Sequence, residues 1–176
     1  MKMELLEDLY KQKLAELLDG EKQLLKFLPK MSKAVADENL RAILEKHTQE
    51  TKVQRKRLEA IIARRGVEET KKSKAMSGIL AESKELLNQQ ESADPQILTL
   101  ALGSAAQDVE GHEITGYACA HTYAKLLGFQ EDLEPLEQTF EEEKKMENDL
   151  VAIAEGLAVE EVGNETSFEQ TPASGA

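Results

Sequence analysis

The chain has 176 residues, 40% of them apolar and 4% aromatic, with no Trp and a formal net charge of −12. That length supports one domain with a sizeable core, and a mix rich in Leu, Ala, Glu and Lys favours helix over strand. The acidic balance argues against a nucleic-acid partner, because phosphates would be repelled, and no run of about 18 apolar residues exists to span a membrane. With a single cysteine, Cys119, and no apolar leader in residues 1–10, cytoplasmic residence is expected. The charge is uneven. Residues 1–74 carry 18 Lys/Arg and 13 Asp/Glu, whereas residues 75–176 carry 4 and 21, so a mildly basic half is expected to pack on an acidic one.

In chain order, Leu6, Leu9, Leu14, Leu17, Leu18, Leu25 and Leu28 step by threes and fours, which predicts a first helix over 3–36, kinked by Pro29. Asp37 is an N-cap and Gly66 a stop for a second helix over 38–65. A short helix capped by Ser73 follows at about 74–90. Asp94-Pro95 then opens a third long helix that runs to Leu127 before Gly128. A fourth covers about 132–157, with Pro135 in its first turn, and residues 163–176 are expected to be a disordered tail beyond a 1–162 domain. Two tight hairpins joined by one long crossover predict an all-α, ferritin-like four-helix bundle with a short extra helix in the crossover.

Polar residues interrupt the apolar stripes: Glu21 in the first long helix; His47, Glu50 and Gln54 in the second; Glu110 and Glu113 in the third; Glu143 and Glu147 in the fourth. At about 1.5 Å rise per residue, each hairpin places its two central glutamates within roughly 5 Å of one height. All four meet at mid-bundle whether the hairpin turns share an end or lie at opposite ends. Buried carboxylates at such density need protons, water or cations, and a bridged pair of hard ions suits them. Metal ligands are therefore sought among Glu21, Glu50, Glu113, Glu143, Glu110, Glu147 and Gln54, with two iron or manganese ions as cofactors. Glu21 and Glu143 are read as terminal ligands and Glu50 and Glu113 as bridging ones. The usual Glu-x-x-His pairs are absent, because Val53 and Met146 occupy that spacing. His47 lies one turn before Glu50, in reverse order, and a hydrogen-bonded core role is expected of it. Tyr117 is read as core, with a hydrogen bond to a ligand as the alternative, and Cys119 as a small packing residue.

Residues 6–31, LEDLYKQKLAELLDGEKQLLKFLPKM, 107–117, QDVEGHEITGY, and 139–145, TFEEEKK, resemble the YciE/YciF group of bacterial stress proteins. The resemblance covers about residues 4–157. It implies a ferritin-like, rubrerythrin-related fold, a homodimer and a role in stress, and Glu110-x-x-Glu113 matches the paired glutamates on the third helix of rubrerythrin-like sites. The functional expectation is a dimetal protein that oxidises Fe(II) with peroxide or oxygen. The alternatives are a metal-free structural or interaction bundle and manganese-dependent peroxide disproportionation.

Overall fold

The computed structural model describes residues 5–67 and 71–169, the last ten as backbone alone. Its elements are α1 (Leu6–Ala34), α2 (Glu38–Arg65), α3 (Lys74–Leu87), α4 (Pro95–Leu126) and α5 (Gln130–Glu169). The local signals act as the chain order predicts. The Asp37 carboxylate accepts from the Leu40 amide at 2.7 Å to start α2, and Gly66, at φ 62°, ends it in the left-handed region that suits glycine. The Asp94 carboxylate accepts from the amides of Gln96 and Ile97, and Pro95 occupies the first turn of α4. α1 continues through Pro29.

Both ends of α5 differ from expectation, and the other helices differ from it by at most three residues at an end. α5 begins at Gln130, which places Pro135 inside the helix rather than in its first turn. Proline removes the amide that would bond the carbonyl four residues earlier, and that carbonyl, on Glu131, accepts from Arg64 Nη1 at 3.2 Å instead. α5 also continues past 157 to Glu169; Gly156 alone does not end it. Residues 170–176 of the expected tail lie outside the described residues.

α1 packs on α2 and α4 on α5 as antiparallel hairpins, with α1 against α4 and α2 against α5 closing the bundle. The core forms two apolar clusters. One gathers Leu24, Leu28, Met31, Val35, Leu40, Leu44, Leu98, Leu102 and Leu150; the other gathers Tyr10, Leu14, Leu18, Leu58, Ile61, Ala120, Ala124 and Leu136. Val35, at the α1/α2 turn, belongs to the first, and Phe129, at the α4/α5 turn, packs on the second. The hairpin turns therefore lie at opposite ends, and the glutamates of mid-helix fall between the clusters. Gly116 lets α4 approach α1 closely, since a Cβ there would come within 2.7 Å of Leu17 Cδ2. In the crossover, α3 lies across α1 and α4 and inserts Met76 and Leu80 into the first cluster. Its start is tied to α1 by Asp19, which accepts from the Ser73 amide at 2.8 Å.

Candidate metal centre

Between the clusters, all four long helices turn polar groups inward. α1 supplies Glu21, α2 supplies His47, α4 supplies Glu110 and Glu113 one turn apart, and α5 supplies Glu143; none is more than 1% exposed. One ligand atom from each of His47, Glu110, Glu113 and Glu143 falls within 4.8 Å of the others. His47 Nε2 lies 3.2 Å from Glu110 Oε1 and 3.8 Å from Glu143 Oε2. Glu21 sits beside this group, its Oε1 accepting a hydrogen bond from the Tyr117 hydroxyl.

What sets the cluster apart is the atoms with no hydrogen-bond partner. His47 Nε2, Glu21 Oε2, Glu110 Oε2 and both oxygens of Glu113 and of Glu143 are buried without one. Buried polar atoms are ordinarily satisfied, and each one that is not costs about 1–3 kcal/mol. Burial first, and the Glu143 charge second, push Glu21 and Glu110 well above the usual carboxylate range. Burial and then the charges of Glu21 and Glu143 do the same to Glu113, and Glu143 itself rises to about 7, mainly through burial. Burial, helped by Lys46, lowers His47 to about 4, so its imidazole is neutral and available as a ligand at physiological pH. Burial also raises the Tyr117 hydroxyl, which therefore stays a donor. Carboxylates with one neutral imidazole form an oxygen-rich donor set that suits iron or manganese, and the unpartnered atoms are those a cation would satisfy.

The remaining expected ligands lie at the margin. Glu50 is half-buried, paired with Lys46 at 2.7 Å, with its other oxygen 3.9 Å from His47 Nδ1. Gln54 is buried, but its amide donates to Glu142 at 3.2 Å, and Glu142 is gripped by both terminal nitrogens of Arg57. Glu147 is half-buried with Oε2 unpartnered. His47, expected to be a hydrogen-bonded core residue, is instead one of the four convergent residues. Its signal was its place on the apolar stripe of α2 at the depth of Glu50, and helical phase rather than motif spacing decides that it, not Glu50, reaches the interior. Tyr117 combines both expected roles: it is buried in the core and donates to Glu21.

The profile of the family described as a domain of unknown function, DUF892, matches residues 5–163. Protein YciF of Escherichia coli K12 is 31% identical over 156 residues, covering 88% of this chain and 93% of that protein. The crystal structure of the E. coli stress protein YciF superimposes with a TM-score of 0.83 at 30% identity, over 89% of this chain and 98% of that one. YcfI of Rhodopseudomonas palustris, described as a candidate structural protein, gives 0.78 at 28% identity, over 85% and 94%. The family expected from the sequence is thus borne out: this chain belongs to the DUF892 family, alongside the stress protein YciF.

Proposed function

We propose that this protein binds a pair of iron or manganese ions in the band between its two apolar clusters, as a cytoplasmic homodimer serving a stress response. The observation that carries the reading is the convergence of His47, Glu110, Glu113 and Glu143 with their inward atoms unpartnered. Those four and Glu21 would hold the metal, with Glu50, Gln54 and Glu147 at the margin. Bound iron would supply the electrons that reduce peroxide or oxygen. The protein's own part is to shape and dry the site: the apolar clusters on either side limit water, Tyr117 orients Glu21, and His47 enters neutral without releasing a proton.

Protein purified without chelator is expected to carry about two divalent ions per chain by elemental analysis, and to melt at lower temperature once they are stripped, because a ligand bound only by the native state stabilises it. Absence of metal together with an unchanged melting temperature would favour the second reading, a metal-free scaffold whose glutamates keep their protons. That alternative is supported by the raised affinity of Glu21, Glu110 and Glu113 for protons and by the description of the R. palustris relative.

A further inference from the structure

On the flank where α1, α4 and the first turn of α3 meet, a cavity of about 240 Å³ runs inward. Lys13, Lys71, Lys72 and Lys74 line it, and the one carboxylate among them at the mouth, Glu16, is engaged by Lys13 at 3.1 Å and Lys71 at 3.2 Å. Ser73 and Ala75 line it too, so the N-terminus of the 14-residue α3 opens there, with no acidic residue in its first turn. The Asp19 carboxylate takes the Ser73 amide and Ser73 Oγ takes the Met76 amide, which leaves the amides of Lys74 and Ala75 and the ammonium groups of Lys72 and Lys74 to attract an anion. In a chain of net charge −12 this is a local reversal of sign among the described residues.

Lysines and a helix start do not by themselves define a site. The second observation lies at the inner end. Glu113 lines the same cavity, is 1% exposed, and has both oxygens unpartnered. Of the four convergent residues of the candidate metal centre, it alone also borders this cavity. Gly20 and Met76 lie at that depth. A Cβ on Gly20 would stand 3.6 Å from Met76 Cε and 4.0 Å from Glu113 Oε1, so alanine fits and a longer side chain would fill the passage.

We propose that this cavity gathers a small anion at its lysine-lined mouth and admits it past Gly20 and Met76 to the Glu113 side of the buried centre, where it becomes an added ligand of the bound metal. The final step rests on the metal-binding reading; capture at the mouth does not. The chemical class is an anion of a few heavy atoms with a free oxygen or nitrogen donor.

Azide is a suitable probe for both steps. In ¹⁵N spectra of the metal-free full chain, titration at constant ionic strength is expected to give saturable shifts at the Lys74, Ala75 and Thr115 amides. A Lys72→Glu/Lys74→Glu double variant should weaken that binding by about tenfold, since both changes reverse a charge at the mouth. With cobalt(II) bound, azide is expected to change the visible spectrum, and Gly20→Leu, or Ala75→Trp at an exposed position of the mouth, should suppress that change at equal cobalt content. Absent or diffuse shifts, or an unaltered affinity in the double variant, would overturn capture at the mouth. An undiminished spectral response in both plugged variants would overturn the route. Localised azide shifts in a protein that retains no cobalt would leave the anion site standing and remove the metal-binding reading instead.

Discussion

Asp132 and Glu113 are both buried carboxylates in the same bundle, and their surroundings are opposite. Asp132, at the start of α5, is 0% exposed. Its Oδ2 accepts from Tyr10 at 2.9 Å and from Arg65 Nε at 2.6 Å, and its Oδ1 meets Arg64 Nη1 at 2.5 Å. The Arg65 guanidinium lies in turn over the Phe129 ring, 3.7 Å from its centre. Both oxygens are partnered, and the charge is balanced by the two arginines of α2. Among the described residues, Glu113 has no hydrogen-bond partner on either oxygen. A buried charge that the fold neutralises itself holds the fold together; one left uncompensated costs stability until something else binds. The Asp132 cluster fastens the free ends of α1 and α2 to the second hairpin, and the glutamate band is kept for a ligand.

The widest separation between the two should come from removing each carboxylate. Asp132→Leu leaves Tyr10 and two arginines without their acceptor and is expected to cost about 3–5 kcal/mol, read by urea unfolding, with metal content unchanged. Glu113→Leu should move stability the other way in the metal-free protein, by about 1–3 kcal/mol, because it relieves desolvation and repulsion from Glu21 and Glu143 while filling the space with an apolar side chain. The same variant should lose its metal. If Glu113→Leu destabilises the stripped protein as Asp132→Leu does, the contrast between the two sites fails.

pH offers a graded version of the same test. Glu21, Glu110, Glu113 and Glu143 hold protons more tightly folded than unfolded, so their contribution is fully present below the ordinary carboxylate pKa of about 4.5 and is lost as pH rises through the folded values. For Glu143 that window runs up to about 7. His47 acts in the opposite sense: its pKa is depressed to about 4, so its contribution is lost as pH falls below the unfolded value of about 6.5. Four groups outweigh one, and the metal-free protein is expected to melt at progressively lower temperature between about pH 5 and pH 8, each unmatched proton changing stability by about 1.4 kcal/mol per pH unit. The metal-loaded protein should show the reverse trend, because ligation displaces those protons. Parallel melting curves for the two forms would contradict the assignment of these carboxylates as ligands.

Much of this architecture is legible in the sequence because its signals are local. Asp37, Gly66, Ser73, Asp94 and Gly128 mark helix ends through their own side chains or backbone freedom, and the structure places the ends of α2 and the starts of α3 and α4 beside them. The inward glutamates are legible for the same reason: a charge on an apolar stripe is a conflict visible in one dimension. Orientation around the helix axis at finer resolution is not. Glu50 and His47 lie three residues apart on one stripe, and only the docking of α2 against α1 and α5 settles that His47 turns inward while Glu50 stays with Lys46. Asp132 was beyond reach altogether. In sequence it is one acid in the run QEDLEPLEQ, and its partners Tyr10, Arg64 and Arg65 are brought to it by hairpin closure across as many as 122 positions. The start of α5 was misplaced for a related reason: Pro135 reads as a first-turn signal until Arg64, from another helix, takes up the carbonyl it frees.

Tyr117 offers the smallest and most discriminating change, because it belongs to both worlds. Its ring is 0% exposed in the second apolar cluster, and its hydroxyl donates to Glu21, the one hydrogen bond that the glutamate band receives from this cluster among the described residues. Tyr117→Phe keeps the ring and removes only that donor. In the metal-free protein the loss should be small, about 1 kcal/mol, since a single buried hydrogen bond is removed. In the loaded protein the consequence is different in kind. A carboxylate held by a neighbouring donor presents its free oxygen in a fixed direction, and losing such a support ordinarily weakens a metal by about 10- to 100-fold. Tyr117→Phe is therefore expected to retain its metal stoichiometry at saturation while its dissociation constant for Mn(II) rises by about tenfold, measured by calorimetric titration. An unchanged affinity alongside the small loss of stability would make Tyr117 a core residue with an incidental hydroxyl. It would also take Glu21 out of the ligand set, because a ligand whose only orienting donor is removed without effect was not holding the ion.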